Sequence, residues 1–312
     1  MAQTNAEPIA QVTPRGAGGR RQMSDRRIVQ LFILPTIILL ILMNIFPLIY
    51  SLYLSFTNYS VISTDPPQWV GIQNYVDILS DTDFWRNFGI TGTYALASVT
   101  LQTVIGFVLA LLLRTKFRGS GIITTMILVP MMLSPIVVAV FWRLIFNPSY
   151  GILNPLLGFT NINTSPEWLG EPGLALLAIV IVDVWMWSPF VMLLCLAGLS
   201  AIPEYLYEAA AIDRAGGLFV FFRITLPQVL PLLLIAVLFR TIEAFKQFDL
   251  VQGLTAGGPG DATETVSVQL YQLAFQGQFN TGLSSALAYI VLIVIIAISN
   301  LYIRALNRAR EG

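Results

Sequence analysis

The sequence contains no histidine and a single cysteine, Cys195, among 312 residues. Without imidazole, no side chain titrates near neutrality at its ordinary pKa, which excludes histidine acid–base catalysis. The same shortage excludes a His/Cys metal cluster and an intrachain disulfide, so neither a metal nor another cofactor is expected. Charge is also scarce: Asp, Glu, Lys and Arg make up 11% of the chain, against about 25% in soluble domains. Nothing matches G-x-x-x-x-G-K-[ST], so there is no phosphate-cradling loop of the Walker type. The stretch Ala256-Gly257-Gly258-Pro259-Gly260 is glycine-rich but has no lysine after it.

What the chain has in abundance is apolar side chains, at 56%. Neither a water-soluble enzyme nor a nucleic-acid-binding protein could leave so much apolar surface uncovered, so the expected surroundings are a lipid bilayer and no nucleic acid. A hydrocarbon core about 30 Å thick needs roughly 20 apolar helical residues. Six stretches qualify: residues 28–56, 90–113, 122–146, 174–199, 226–248 and 283–303. The expected fold class is therefore an all-α, polytopic membrane protein with six transmembrane helices. Its divisions are a tail at 1–27, a first span at 28–56, a loop at 57–89, a five-helix core at 90–303 and a tail at 304–312.

Sidedness follows from the basic residues of alternate loops. Thirteen fall on one side: Arg15, Arg20, Arg21, Arg26 and Arg27; Arg114, Lys116 and Arg118; Arg214 and Arg223; Arg304, Arg308 and Arg310. The other side carries Arg86. The positive-inside rule thus places both termini in the cytoplasm of a plasma membrane. The apolar run after the polar first 24 residues is too long for a signal-peptide core and lacks an A-x-A-like cleavage site, so the tail is read as retained. Two glycosylation-type triplets, Asn58-Tyr59-Ser60 and Asn163-Thr164-Ser165, carry no weight at three residues.

Ionisable groups inside the spans are costly, about 2.5–3.5 kcal/mol each at mid-bilayer on insertion scales, and must face the interior, a partner or water. Asp183 lies mid-span with Trp185, Trp187 and Ser188 beside it; Arg240 and Glu243 are one turn apart in the fifth span, with Lys246 and Gln247 following. Two readings stand. In one, Asp183, Arg240 and Glu243 line a pathway and Trp185 and Trp187 offer flat faces to a sugar ring. In the other, the charges form an ion pair that fixes helix packing. Pro35, Pro47, Pro130, Pro135 and Pro189 lie within spans and can kink them. Six helices enclose little of a polar route alone, and alternating-access transporters oppose two such bundles. With no internal repeat visible, a second bundle has to be another chain.

The loop at 200–226 carries the densest signal. Pro203 suits a first helical turn, Glu204 complements its positive end, Arg214 its negative end, and Gly216 can terminate it. A helix of about 12 residues, some 18 Å long, follows. It is too short and too charged to span a bilayer. Tyr205, Ala209, Ile212 and Ala215 share one side, and Ala210 and Ala211 keep the adjoining surface low. Such a face fits a groove on a partner or lies on the lipid interface.

Glu208-Ala209-Ala210, followed by Ile224, Leu226 and Pro227, resembles the EAA loop of the permease subunits of binding-protein-dependent ABC importers. More narrowly it resembles the carbohydrate-uptake branch, with its maltose-type and glycerol-phosphate-type permeases. Phe46-Pro47 with Ser55-Phe56, Val70-Gly71-Ile72-Gln73-Asn74-Tyr75, Leu254-Thr255-Ala256-Gly257-Gly258-Pro259 and Thr263-Glu264-Thr265 agree. The resemblance covers about residues 32–301.

It implies the type I ABC importer permease fold, cytoplasmic ATPase subunits and a second permease, in a heterodimer. It also implies an extracytoplasmic solute-binding protein and a carbohydrate or polyol as solute. The chain would be no enzyme, with ATP hydrolysed on another subunit. Glu208, Ala209, Ala210, Asp213, Arg214, Ala215 and Gly216 would form the ATPase-coupling surface. One departure is Arg214, where the family commonly has Gly, so the turn is expected at Gly216 and Gly217. The rival is a gradient-driven secondary transporter using Asp183 or Glu243 for ion coupling. A membrane-embedded hydrolase lacks a recognisable nucleophile or metal site.

Overall fold

The computed structural model describes residues 25–115, 117–158, 166–277 and 279–311. Residues 1–24 of the tail expected at 1–27, Lys116 and the Asn163-Thr164-Ser165 triplet lie outside them. Among the described residues there is no strand, only the isolated bridges Thr57–Trp69 and Ser60–Asn280. The described residues are all-α, with five helices long and apolar enough to cross a membrane and one shorter apolar helix among them.

By Cα packing the chain divides into two units, Met1–Ser51 and Leu52–Gly312. The first holds α1 (Asp25–Leu40), a π-helical stretch, Ile41–Ile45, and α2 (Phe46–Leu54) up to Ser51. The π stretch has a cause in the sequence. Pro47 brings no N–H and its ring clashes with the carbonyl four residues back, at Met43. Widening the turn relieves that clash. The large apolar side chains from Phe32 to Tyr50 are exposed, as befits a helix whose solvent is lipid.

In the second unit, α3 (Gln73–Ser80) is followed by α4 (Thr82–Leu113), whose first turn is capped by Asp81 accepting from the Asp83 N–H at 3.0 Å. This helix begins eight residues before the stretch read from the sequence, because Asp81 is a strong N-cap and the polar first turns need not lie in lipid. The third apolar stretch is not one rod. It consists of α5 (Ser120–Leu128), a 3-10 turn at Pro130–Met132 and α6 (Pro135–Ile145). Pro130 and Pro135 each start a new segment, and neither can donate to the turn before it. After α7 (Leu153–Gly158) comes α8 (Pro172–Ala201), the most deeply packed span.

Next come α9 (Glu204–Ile212), α10 (Gly217–Val220), a second π stretch at Phe221–Thr225, and α11 (Leu226–Lys246). Here too a proline, Pro227, stands two residues beyond the π turn. The fifth span is thereby continuous from Gly217 to Lys246, and the loop before it is shorter than the expected 200–226. Short α12 (Asp249–Leu254) and α13 (Val266–Phe275) precede α14 (Thr281–Glu311).

The core of this unit is built on α4 against α8. Without a hydrophobic drive between spans, packing needs close approach, which small residues permit. Gly106 supplies it: a Cβ there would meet Val191 Cβ at 2.6 Å and the Ser188 carbonyl at 2.7 Å. Around this seam one apolar cluster gathers Tyr94, Val138, Phe146, Met186, Leu250 and Val268. A second joins Ala110, Met192, Cys195, Leu199 and Val229 nearer the α9 end.

Candidate functional site

The seven residues expected to form the coupling surface fall on α9 and the turn after it. The helix has nine residues rather than about 12, because Pro203 is its N-cap and it stops at Ile212. Its stop is a Schellman motif. The Ala215 N–H donates to the Ala210 carbonyl at 2.9 Å and the Arg214 N–H to the Ala211 carbonyl at 3.1 Å, satisfying two carbonyls that the helix end would otherwise strand. Arg214 makes the left-handed turn, with φ +51°. The expectation that Gly216 and Gly217 would turn the chain is corrected: Gly216 is extended, with φ −66° and ψ 151°, and caps α10.

Ala210 is buried, whereas Glu208, Ala209, Asp213 and Arg214 are exposed. Ala209, Ala210, Asp213, Ala215 and Gly216 line an open groove of about 540 Å³ with Leu206, Phe219 and Ile224. Tyr205 and Ile212 stand out at 64% and 82% exposure. The remaining tyrosine, Tyr207, turns inward.

The span residues separate into two groups. Asp183 and Arg240 meet in the interior: Arg240 Nη2 lies 3.3 Å from Asp183 Oδ1, and their side chains are 0% and 3% exposed. Gln102 of α4 completes the arrangement, donating from Nε2 to Asp183 Oδ2 at 2.7 Å and accepting from Arg240 Nε at 2.8 Å. Trp187 lies against the guanidinium, 4.6 Å from Cζ to ring centroid. A carboxylate, an amide and a planar guanidinium thus bond three helices, α4, α8 and α11, at one depth. Burial on this scale is tolerable only because each charge has hydrogen-bonded partners. Sequence reasoning missed Gln102, although a lone amide within an apolar span is the signal for such a partner.

Glu243 and Trp185 are not in that centre. Glu243 accepts from Lys246 at 2.7 Å, with both side chains about half exposed, at 55% and 51%. Trp185 is two positions from Asp183, so it points across α8 from it. There it meets Trp142 edge-on at 5.5 Å and lines an apolar groove with Leu101, Ile105 and Pro130.

At the end opposite α9, the segment after α12 is tied into the unit. Thr263, Glu264 and Thr265 are buried. Asn87 of α4 donates to Glu264 Oε1 at 2.9 Å, and the Val266 N–H donates to Thr91 Oγ1 at 3.0 Å. Burial, together with the nearby Asp261 carboxylate, raises the Glu264 pKa above its ordinary value against the opposing hydrogen bond from Asn87. Among the described residues no group of acidic side chains and cysteine is arranged to hold a metal.

Apolar crossing helices sewn together by a buried polar centre, with a short amphipathic helix held outside the spans, define a polytopic transport permease. The chain belongs to the family of binding-protein-dependent transport system inner membrane components, whose profile matches residues 102–311. It is 36% identical over 274 residues to the trehalose/maltose transport system permease protein MalF of Thermococcus litoralis, covering 88% of this chain and 92% of that one. It is 31% identical to the trehalose transport system permease protein SugA of Mycobacterium tuberculosis, covering 93% and 92%. A permease chain of a bacterial alginate ABC transporter, solved with an alginate-pentasaccharide-bound periplasmic protein, superposes with TM-score 0.77 at 21% identity over 88% of this chain and 92% of that one. The fold is that of type I ABC importer permeases, the Glu208-Ala209-Ala210 loop is the EAA motif of that class, and the protein is a multi-pass inner-membrane transport subunit rather than an enzyme.

Proposed function

We propose that this permease forms half of the route for a sugar or polyol, paired with a second, non-identical permease. The solute reaches it from an extracytoplasmic binding protein, and ATPase subunits act on it from the cytoplasm. Two relatives are named for trehalose or for trehalose and maltose, and the structural neighbour was solved with an oligosaccharide-loaded periplasmic protein, which supports a carbohydrate. The charge bias supports both termini, and therefore α9, on the cytoplasmic side.

The observation that carries the reading is the form of α9: a capped helix outside the spans whose Ala209 is exposed and whose Ile212 is 82% exposed. Glu208, Ala209, Ala210, Asp213, Arg214, Ala215 and Gly216 would form the docking surface, with the small residues letting another backbone come close. Asp183, Arg240 and Trp187 then act as an interior clamp. Glu243 and Lys246, uncovered within the fifth span, are the polar groups available to a passing solute. A gradient-driven mechanism is not favoured: Asp183 is sealed against Gln102 and Arg240, and family membership points to ATP as the energy source.

The test is cysteine crosslinking from Ile212→Cys combined with Ala209→Trp. Ile212→Cys should capture a nucleotide-hydrolysing subunit. Ala209→Trp should insert normally yet abolish uptake of trehalose or maltose into proteoliposomes. Crosslinking to no ATPase, with uptake unchanged by Ala209→Trp, would overturn the reading.

A further inference from the structure

Tyr207 is the one aromatic of α9 that faces the membrane unit, and it touches two spans at once. Its ring lies beneath the guanidinium of Arg114, 4.1 Å from Cζ to centroid, and Arg114 is the C-terminal cap of α4. Its hydroxyl is 3.1 Å from Thr225 Oγ1. Thr225 is 4% exposed and is the last residue of the π stretch within the first turns of the fifth span. Phe221, the first residue of the same stretch, packs on Phe107 of α4 at 6.0 Å. So the base of α9, the end of α4 and the π turn of the fifth span meet at one tyrosine.

The π turn is a place in that span where the helix can bend, as π-bulges and prolines both allow. Pro227 removes the N–H that would have served the Arg223 carbonyl, and π turns inside helices are frequent at functional sites. A displacement of α9 therefore reaches the fifth span through the Tyr207–Thr225 bond, at a joint that yields, while the Arg114 contact holds the second span to the same point. Ala210, on the same side of α9 one turn further on, is buried and gives the helix a second seat.

We propose that Tyr207, with Arg114 and Thr225, is the transmission joint through which motion of α9 is passed to the second and fifth spans. Tyr207 is a positioning residue: it takes no part in docking, which belongs to the exposed face. The inference rests on the reading of α9 as the ATPase-coupling helix, and its test separates the two.

Nitroxide labels at Leu112→Cys on α4 and Gln228→Cys on α11, both exposed and close to the joint, report the separation of the two spans by electron-electron dipolar spectroscopy. The sample is the full complex in nanodiscs, without nucleotide and after trapping with Mg-ATP and orthovanadate. The sole native cysteine, Cys195, is buried. In the parent, trapping should shift the separation. With Tyr207→Ala the ATPase should still co-purify and hydrolyse ATP, but the shift should be lost. Tyr207→Phe and Thr225→Val each delete only the hydroxyl bond. They should reduce the shift equally and not further in combination, a non-additivity that a general loss of packing would not produce. If Tyr207→Ala fails to insert, these two variants carry the test. A parental shift retained in the variants overturns the joint and leaves the coupling helix standing. A parent that binds no ATPase, or shows no shift on trapping, overturns the coupling helix and the joint with it.

Discussion

Asp183 Oδ1 lies 3.3 Å from Arg240 Nη2 across the α8–α11 contact, with 0% and 3% of the two side chains exposed. Breaking such a pair from one side leaves a charge buried without its partner, at about 3–5 kcal/mol, whereas replacing both partners by apolar groups of similar shape can be nearly neutral. Arg240→Met should therefore destabilise the permease severely, and Asp183→Leu likewise. The double variant should be more stable than either single one. Thermal unfolding of the purified chain in detergent reads this cycle. Glu243→Gln is the contrasting case: its exposed pair with Lys246 is worth no more than about 1 kcal/mol, so the unfolding midpoint should barely move.

Gly106 is where α4 and α8 approach too closely for a Cβ, with Val191 Cβ at 2.6 Å and the Ser188 carbonyl at 2.7 Å. Gly106→Ala should cost about 1–3 kcal/mol as the helices separate. Gly92, on the same helix, has nothing within 4 Å of the place a Cβ would take. There the same substitution should be neutral or stabilising by up to about 1 kcal/mol, since Ala is the better helix former. Apparent midpoints of the two variants, measured side by side, check the difference.

Glu264 is held between opposing influences: burial and the neighbouring Asp261 favour its neutral form, and the Asn87 hydrogen bond favours the charged one. The net shift is upward, so the folded chain binds this proton more tightly than the unfolded chain does. Stability should then fall as pH rises from the ordinary carboxylate pKa through the raised one, and stay lower above it. Glu264→Gln keeps an oxygen for Asn87 and has no charge to form. The variant should match or exceed the parent in unfolding midpoint at pH 7.5, and the difference should close as pH falls toward about 4. A difference that widened on acidification would contradict this sign.

Much of the fold could be read from runs of apolar residues, because a bilayer imposes a length on its helices that soluble folds do not. Hydropathy alone could not resolve the interior of those runs. Pro130 and Pro135 divide the third stretch because each starts a segment, a choice between kink and break that depends on tertiary support. The polar centre was half visible: Asp183 and Arg240 stood out as charges, but Gln102, which bonds to both, carries none. Arg240 and Glu243 are one turn apart by spacing, yet only Arg240 reaches inward: the buried face of α11 runs through Arg240, Thr241, Ala244 and Phe245, and Glu243 lies outside it. On α9 the exposed face was legible from its pattern. The inward Tyr207 was not, because its partners Arg114 and Thr225 come from distant parts of the chain.

Arg214 stands where the EAA motif commonly has glycine, and its backbone takes the left-handed conformation, φ +51°. For a residue with a Cβ that conformation costs about 1–2 kcal/mol, and here the Schellman bonds of Arg214 and Ala215 to the end of α9 hold it in place. Replacing Arg214 by glycine removes the strain, although part of the gain is lost to the greater freedom of glycine in the unfolded chain. Arg214→Gly should therefore keep or raise the unfolding midpoint, and Arg214→Asn, which tolerates the same conformation, should lie close to it. Arg214→Val, stiff at its branched Cβ, should lower the midpoint by about 2–4 °C for each kcal/mol of added strain. The same three variants bear on coupling. If the guanidinium only caps the helix end, ATPase co-purification should follow the order of the midpoints. If it also touches the ATPase, Arg214→Gly should bind the ATPase more weakly while unfolding no earlier than the parent.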